Sequence, residues 1–539
     1  MSATPLQAGP DDVMRELLAA LLDPDAAPTS PLPRGTGQDG EVPLTEGQRQ
    51  LWFLQQLWPD ATTYHVCTAL RLRGALHAPA LEQALADLVA RHPALRTTIR
   101  TGRRGRPQGV LHPPGGATAV LAAQELPGRT PEEREAQVQQ AARAELAVPF
   151  DLATGPLIRA RLLRFAREDH ALVLTFHHLV VDGWSMRIVL RDLAAHYSAR
   201  VGGRPAGLPE LHHQYTDFAA WQQDGLSSSA RYADALDHWR RTLAQAPQES
   251  TPPPDRAAGQ AADQAVDRSG RRTGRSLHFD LPAATVRGVR ALAAREASTP
   301  FAVCHAAFTL WLARATGRTD LVTGVPSCGR PFPELDDVVG YFVNLLPLRS
   351  RLRAEATFAE TVRAAHAGVA AALDHDLLPF DRIVGALGVP RRPGVQPLAQ
   401  VMCQLVGDRS VGGDADDWHG LAVTEVRILH DDEARFDLEL DLREEGSDRI
   451  QGCLTVDARR YGEARAERIR DEYAALLGLL GRHPDTVLGP LLDGATPLPG
   501  LDDVPDDVPA AVHDDVCDAE RHDVRDDVRD DASERKATR

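Results

Sequence analysis

The sequence predicts a layered α/β fold whose main part forms two lobes. Helical patterns of apolar residues alternate with short, β-rich apolar runs along the chain, and this alternation is typical of layered α/β proteins. The 539 residues are too many for one small domain and enough for two packed lobes with tails. A polar, proline-rich stretch at 250–274 interrupts the patterned region and predicts a connection between the lobes.

The individual elements are predicted from the spacing of apolar residues. A repeat of three to four residues indicates a helix, and a dense β-branched run indicates a strand. Helices are predicted at 11–22, 80–92, 185–197 and 300–315, and strands at 94–100, 170–178 and 320–327. Ser185 is the predicted N-cap of the third helix, because a serine hydroxyl can accept the free amide hydrogens of a first turn.

Both ends of the chain are predicted to lie outside the lobes. The first helix is short, so it either packs on its own lobe, frays, or docks a partner enzyme. We expect residues 1–40 and 501–539 to be dispensable for folding, because they lack the apolar side chains to join a core. The expected segments are a short helix and disordered linker at 1–42, an N-terminal lobe at 43–222, a C-terminal lobe at 223–498 and an acidic disordered tail at 499–539.

Composition and charge exclude several classes of protein. The formal net charge is −16, and residues 501–539 carry half of it, with fourteen acidic against six basic side chains. No basic stripe with interleaved aromatic residues is present, so nucleic acid is not an expected partner. No run of ~18 apolar residues and no signal peptide are found, so no membrane association is expected. Scattered cysteines without a C-x-x-C pair indicate a reducing cytoplasm rather than a disulfide framework or zinc site.

The pattern with the clearest chemical meaning is HHLVVDGWS at 177–185. His177 and His178 end a predicted strand, and neighbouring strand residues point to opposite faces. One histidine can therefore face a site while the other is held in the interior. A two-histidine metal site is not predicted, because no H-x-x-x-H spacing or third ligand lies nearby.

The residues after the histidine pair suit a substrate site. A buried carboxylate at Asp182 needs an arginine partner or several donors, and Gly183 removes a side chain where a thin substrate arm could approach. A histidine with a pKa of about 7 can take the proton that an amine loses on attacking a thioester, or donate to the resulting oxyanion. A histidine pair at a strand end is also common in structural roles, so these residues alone leave both interpretations open.

The segment 177–185 resembles the HHxxxDG motif of nonribosomal peptide condensation domains. Other segments resemble the remaining motifs of that family and occur in the family's order. They are LTEGQRQLWFLQQL (44–57), RHPALRTTIR (91–100), YTDFAAWQ (215–222), VVGYFVNLLPLR (338–349), HDLLPFDRIV (375–384) and RRPGVQPLAQVM (391–402), with RFDLELDL (435–442) similar to a late family strand. Together these segments cover about residues 43–490. Several motifs in the family's order identify a family far more specifically than a single motif does.

The resemblance implies a fold and an activity. The fold would be two chloramphenicol-acetyltransferase-like lobes arranged in a V with a tunnel between them. The activity would be transfer of a carrier-bound acyl or aminoacyl group to an amine or hydroxyl acceptor, in the biosynthesis of nonribosomal peptides or hybrid polyketides such as antibiotics. The donor would arrive on the 4'-phosphopantetheine of a peptidyl or acyl carrier protein, and no cofactor or metal would be bound.

The family's functional residues carry over to matching positions. His178 matches the catalytic second histidine, which would position or deprotonate the nucleophile, and His177 matches the first, usually structural one. Asp182 matches a structural aspartate, and Arg330, in GVPSCGRP, lies where its salt-bridge partner would be, with Arg96 as the reserve partner. The expected lining of the tunnel comprises Gly183, Trp184, Ser185, Tyr341 and Asn344.

Some positions depart from the family's pattern. Thr45-Glu46-Gly47-Gln48 stands where the family usually has Ser-x-Ala-Gln, and the Tyr341–Leu345 stretch is similar to members that accept acyl chains or work in hybrid pathways. No adenylation motif and no Gly-Gly-x-Ser carrier attachment site are found. The protein is therefore expected to be free-standing and to act in trans.

Two other functions are weighed against this one. A carrier-independent acyltransferase that uses acyl-CoA would share the histidine motif. A non-catalytic recruitment domain would only dock other enzymes, and such modules usually lose the residues that are intact here as His178, Asp182 and Gly183.

Overall fold

The computed structural model describes residues 32–35, 39–115, 121–126, 130–255, 272–390, 395–407, 418–428, 433–446 and 448–492. The helix predicted at 11–22 and the tail predicted at 499–539 lie outside the described residues. So do residues 256–271 of the predicted connection. All described residues fall within one compact unit.

Several helices begin where a side chain satisfies the free amides of the first turn. Thr45, Thr130 and Thr357 each accept from the amide three residues later, whose side chain bonds back to the cap residue. The helices of the described part are α1 (Glu46–Leu57), α2 (Ala78–Arg91), α3 (Pro131–Leu146), α4 (Gly183–Gly202), α5 (Tyr215–Ala220), α6 (Ala230–Thr242), α7 (Ala283–Arg295), α8 (Pro300–Thr316), α9 (Phe358–Asp374), α10 (Phe380–Ala386), α11 (Glu463–Arg482) and α12 (Gly489–Leu492).

Strands alternate with these helices, and the predicted α/β class is confirmed. The strands of the described part are β1 (Gly40–Val42), β2 (His65–Gly74), β3 (Thr97–Thr101), β4 (Pro107–Leu111), β5 (Leu121–Glu125), β6 (Ile158–Ala166), β7 (Asp169–His177), β8 (Gly274–Asp280), β9 (Asp320–Ser327), β10 (Asn344–Arg351), β11 (Val401–Val406), β12 (Leu421–Val426), β13 (Leu438–Glu445) and β14 (Arg449–Asp457). They form a five-stranded sheet of order β12-β2-β7-β6-β5, a six-stranded sheet of order β10-β9-β11-β13-β14-β8 and a small sheet of order β1-β4-β3.

The five-stranded sheet carries the histidine motif and is braced by helices. Strands β2 and β7 are antiparallel, with His65 opposite His177. Helices α2 and α4 pack against each other and bury side chains of the same core, among them Leu85, Val189 and Leu193. Burial of such side chains is the main stabilising contribution to a core, so the strand that ends at the motif has a fixed position.

Strand β12 crosses between the two halves of the chain. It comes from the second half but pairs antiparallel with β2, with Leu421 opposite Gly74. Gly74 has a φ of 131°, and a Cβ there would lie 2.4 Å from the Gly420 carbonyl oxygen, so this approach requires glycine. The first large sheet is therefore completed by a segment of the expected C-terminal lobe.

Parts of the predicted linkers belong to the folded structure. Leu32 is buried in a hydrophobic cluster, Asp39 pairs with Arg96 at 3.1 Å, and β1 pairs with β4. In the second linker, the Ser250 amide donates to the Gln400 side chain at 3.2 Å. The prediction of an unfolded linker up to residue 42 is wrong for these residues, because one apolar side chain and a short strand suffice to anchor a polar segment.

A truncation series tests this anchoring. Removal of residues 1–42 should lower the melting temperature by several degrees relative to removal of residues 1–31, because it also takes away Leu32, the burial of which contributes about 2 kcal/mol. Thermal unfolding of both variants measures the difference. Equal melting temperatures would show that the contacts of residues 32–42 contribute nothing to stability.

Candidate active site

The two histidines of the motif have different surroundings. Strand β7 ends at His177, and His178 begins a single 3-10 turn. The His177 side chain is buried, with the residue 1% exposed, and its Nδ1 accepts the Leu179 amide hydrogen at 3.0 Å. His178 instead lines a cavity of about 1260 Å³. Of the two histidines of the motif, His178 is therefore the one that can meet a ligand in this cavity.

The tautomer of His178 follows from its hydrogen bonds. Its Nδ1 lies 2.7 Å from the Val181 carbonyl oxygen, and its backbone amide donates to the Tyr64 carbonyl at 2.7 Å. A carbonyl oxygen can only accept, so Nδ1 carries the ring hydrogen. The neutral ring consequently has its lone pair on Nε2, the atom that can take a proton.

Charge and burial keep the His178 ring neutral. Burial lowers the pKa of His178 below its usual 6.5, and the nearby positive charge of Arg435 lowers it further, whereas Asp182 acts in the opposite direction. Burial also lowers the pKa of His177 well below the usual value. At neutral pH His178 is therefore a proton acceptor rather than a cation.

The cavity is lined by residues of both large sheets. Val66 and Thr68 of β2 contribute from the five-stranded sheet, and Val325, Met402 and Asp441 contribute from the six-stranded sheet. His178 stands at the junction, at the end of β7. A ligand in the cavity would therefore touch the two halves of the chain at once.

Asp182 is the N-cap of α4. Its Oδ1 accepts the Ser185 amide hydrogen at 2.7 Å. The prediction that Ser185 caps this helix is wrong: the helix begins at Gly183, and an aspartate in the loop reaches the third amide of the helix. Asp182 is 2% exposed and is therefore a buried negative charge.

Arg330 neutralises this charge. Its Nη1 lies 3.1 Å from Asp182 Oδ2, and its other hydrogens reach the Ser185 hydroxyl and carbonyl oxygens of the second half of the chain, including Val338. Asp182 Oδ2 also accepts the Phe342 amide hydrogen at 3.0 Å. Arg96, the reserve partner, bonds to Asp39 instead. The pair thus ties the histidine loop to the segment 338–342.

Four of the five residues expected in the tunnel line the cavity: Gly183, Trp184, Tyr341 and Asn344. The expectation for Ser185 is wrong. Ser185 is 0% exposed, and its hydroxyl donates to the Gly340 carbonyl at 2.9 Å and accepts from Arg330. The third residue of a helix points back along the axis toward its cap, so Ser185 supports the ion pair and does not meet a ligand.

Asn344 has a structural task in the wall of the cavity. Its side-chain amide donates to the carbonyl oxygens of Asp376 and Leu378, each at 2.9 Å, and its Oδ1 accepts the Phe380 amide hydrogen at 3.0 Å. These three bonds hold the segment between α9 and α10 at the cavity. Backbone groups in a loop need such partners when they are shielded from water.

Charged side chains on β13 and just before it also line the cavity, and they were not predicted from the sequence. Glu439 and Asp441 are two residues apart on β13 and so share one face, where Arg435 pairs with Glu439 and Gln404 donates to Asp441. Burial and the neighbouring Glu439 raise the pKa of Asp441 to about 7. The alternation of acidic and apolar residues in 438–442 was the available signal.

The described residues hold no cluster of histidine, cysteine, aspartate or glutamate that could bind a metal ion. Within the same part of the chain, no helix combines the length and the apolar character that crossing a membrane requires.

Comparison with known proteins identifies one family. The condensation domain family matches residues 38–491. Malpinin synthetase of Mortierella alpina is 35% identical over 433 residues, which are 80% of this chain and 5% of that protein. Phosphinothricin tripeptide synthetase PhsC of Streptomyces viridochromogenes is 34% identical over 474 residues, which are 88% of this chain and 42% of that protein. The chain spans less than half the length of these relatives.

Solved structures of similar fold include domains of two kinds. The X-domain from teicoplanin biosynthesis is 27% identical with a TM-score of 0.72, and the match covers 84% of this chain and 98% of that one. A complex of the X-domain with OxyB matches at 26% identity and a TM-score of 0.72, over 85% of this chain and 97% of that one. The first condensation domain of the calcium-dependent antibiotic synthetase shares the fold, with a TM-score of 0.67 at 21% identity over 83% of this chain and 98% of that one.

Substitution of the buried ion pair should be far more costly than substitution of an exposed one. Asp182→Ala and Arg330→Ala should each lose about 3–5 kcal/mol of unfolding free energy, because either change strands a buried charge, and the double variant should lose less than the sum. Chemical denaturation measures these values. The matched control is the solvent-accessible pair of Arg200 and Asp87, where alanine should cost far less because water screens both charges.

Proposed function

The chain belongs to the condensation domain family, as its motifs predict, and we propose that it transfers a carrier-bound acyl or aminoacyl group to an amine or hydroxyl acceptor. The product is an amide or an ester of a nonribosomal peptide or hybrid polyketide pathway. The observation that carries the proposal is the state of His178: a neutral ring with its lone pair on Nε2, lining a cavity that both halves of the chain enclose.

His178 has the properties of the proton acceptor in this reaction. The acceptor nitrogen or oxygen attacks the thioester carbon, and its proton passes to Nε2 as the new bond forms. The imidazolium can donate to the tetrahedral oxyanion. When the carbon–sulfur bond breaks, the same proton goes to the departing sulfur, so the ring returns to its neutral state. No covalent intermediate with the protein is needed.

The donor is proposed to arrive on the phosphopantetheine arm of a peptidyl or acyl carrier protein. A long arm suits a cavity of this volume, and tethering raises the effective concentration of the donor at the site. Gly183 lines the cavity at the start of α4, where a missing side chain leaves room for the arm. An acyl-CoA thioester has the same reactive group, so a carrier-independent acyltransferase is the alternative enzyme.

Recruitment of another enzyme is the second candidate function. What favours it is the likeness to the X-domain, which was solved in complex with OxyB. Against it stands the site itself, since His178, Asp182 and Gly183 are all present and His178 lines an accessible cavity. A recruitment domain needs neither a neutral histidine nor a cavity for two substrates.

Intact-mass spectrometry of acyl-loaded carrier proteins tests the function directly. The full chain is incubated with separately supplied carriers and an amine or alcohol acceptor. Loss of the acyl mass from the carrier, with matching gain on the acceptor, is the expected result. Equally efficient use of acyl-CoA would favour the carrier-independent enzyme. Stable binding of a tailoring enzyme without transfer from any carrier would favour recruitment.

Replacement of His178 should remove the chemistry and leave the fold. His178→Ala should lower kcat about 100-fold or more, because a general base is lost, with little change in melting temperature. The matched control is His212→Ala, which removes an exposed histidine outside the cavity lining. Full activity of a well-folded His178→Ala variant would assign the proton transfer to another group.

The pH profile gives a second measure of the same residue. Activity should fall as the pH falls through the His178 pKa, because the protonated ring cannot accept a proton, and this acid limb should lie below pH 6.5 since burial and Arg435 lower the pKa. The measurement is kcat/KM against pH with an acceptor that does not titrate in this range. An acid limb above pH 6.5 would contradict the assignment.

A further inference from the structure

Gly47 stands in the first turn of α1 in a place where an alanine would not fit. A Cβ on this residue would lie 2.7 Å from Cε1 and 3.1 Å from Cδ1 of Tyr341. Its φ is not in the left-handed region, so backbone conformation does not demand glycine here. Alanine is the better helix former. The space taken by the Tyr341 ring is thus the physical reason for glycine at this position.

The Tyr341 ring also contacts the candidate base, His178. The ring centroids of Tyr341 and His178 lie 5.0 Å apart at an angle of 80° between the planes. This is the favoured edge-to-face arrangement of two aromatic rings. The tyrosine ring therefore lies against both the first turn of α1 and the His178 ring.

Hydrogen bonds hold the backbone at Tyr341 and at the next residue, so a shift of this segment away from His178 would break them. The carbonyl oxygen of Tyr341 accepts the Tyr215 hydroxyl hydrogen at 2.6 Å, and the Tyr215 hydroxyl also lies 2.9 Å from Thr45 Oγ1. The next amide, that of Phe342, donates to Asp182. The segment is thereby anchored both to the cap of α1 and to the histidine loop.

We propose that Tyr341 is a positioning residue, which fixes the orientation of the His178 ring, and that Gly47 makes room for it. The His178 ring is constrained by two contacts: its Nδ1 hydrogen bond to Val181 and the aromatic contact with Tyr341. Loss of the aromatic contact frees rotation of the ring and moves Nε2 away from the reacting atoms. This inference rests on the proposed function of His178 as proton acceptor.

The proposed positioning relies on the ring of Tyr341 and not on its hydroxyl. Burial raises the pKa of Tyr341, so the group stays neutral. The aromatic ring alone makes the contacts with Gly47 and His178 that carry the inference. Phenylalanine should therefore replace tyrosine at low cost, whereas alanine should not.

Kinetics of four variants of the full chain test the proposal. Tyr341→Ala and Gly47→Ala should each lower kcat about tenfold with little change in KM, because the base is misplaced while binding is kept. Tyr341→Phe should stay within about threefold of the parent. The double variant Gly47→Ala/Tyr341→Ala should be no slower than Tyr341→Ala alone, since the clash has been removed. The matched control is Gly385→Ala, where an added Cβ would meet nothing within 4 Å.

Chemical modification of His178 gives a readout that needs no turnover. Diethyl pyrocarbonate acylates a neutral imidazole, and peptide mass spectrometry follows the rate at His178. Tyr341→Ala should raise this rate several-fold and Tyr341→Phe should not. This result separates the proposal from the proposed function, because it holds whether or not an acyl donor is found. The proposal is overturned if Tyr341→Phe is as impaired as Tyr341→Ala, if Gly47→Ala behaves like Gly385→Ala, or if the modification rate does not change.

Discussion

The Asp182 carboxylate is buried and accepts hydrogen bonds from the Ser185 and Phe342 amides and from the Arg330 guanidinium. The partners lie far apart in sequence, and Asp182 brings them together at the end of strand β7. A buried charge is stable only when it is paired and hydrogen-bonded. The loop after His178 and the segment 338–342 must therefore lie next to each other in the folded protein. The positions of His178 and Tyr341 both follow from this constraint.

Two residues of the short histidine motif have different roles: Asp182 stabilises the fold, and His178 is the proposed proton acceptor. Asp182 caps α4 and pairs with Arg330, while His178, four residues earlier, lines the cavity and bonds to the Val181 carbonyl. The Asp182 oxygens accept hydrogen bonds from Ser185, Phe342 and Arg330. The groups that contact the His178 ring are instead the Val181 carbonyl and the Tyr341 ring. The arrangement therefore differs from a triad in which an aspartate orients the base.

Local features were predictable from the sequence because they depend on neighbours along the chain. The strand before His177, the helix after the motif and the helix that begins at Pro300 follow from the spacing of apolar residues. The carried-over pairing of Asp182 with Arg330 came from family resemblance alone. The crossover of β12, the burial of Leu32 and the fit of Tyr341 against Gly47 depend on contacts between distant segments, which no local pattern encodes. Ser185 illustrates the same limit, since its neighbours predict a cap and its distant contacts bury it.

Asp182 holds the loop after His178 against the segment 338–342. The proposed consequence is that Nε2 of His178 lies within reach of the nucleophile. A crystal structure of the full chain with a non-hydrolysable acyl-phosphopantetheine analogue and a bound acceptor tests this most directly. We predict the acceptor nitrogen or oxygen at about 3 Å from Nε2, within hydrogen-bond reach, with Asp182 still paired to Arg330. An acceptor atom bound in the cavity beyond reach of Nε2, or beside another titratable group, would contradict the claim.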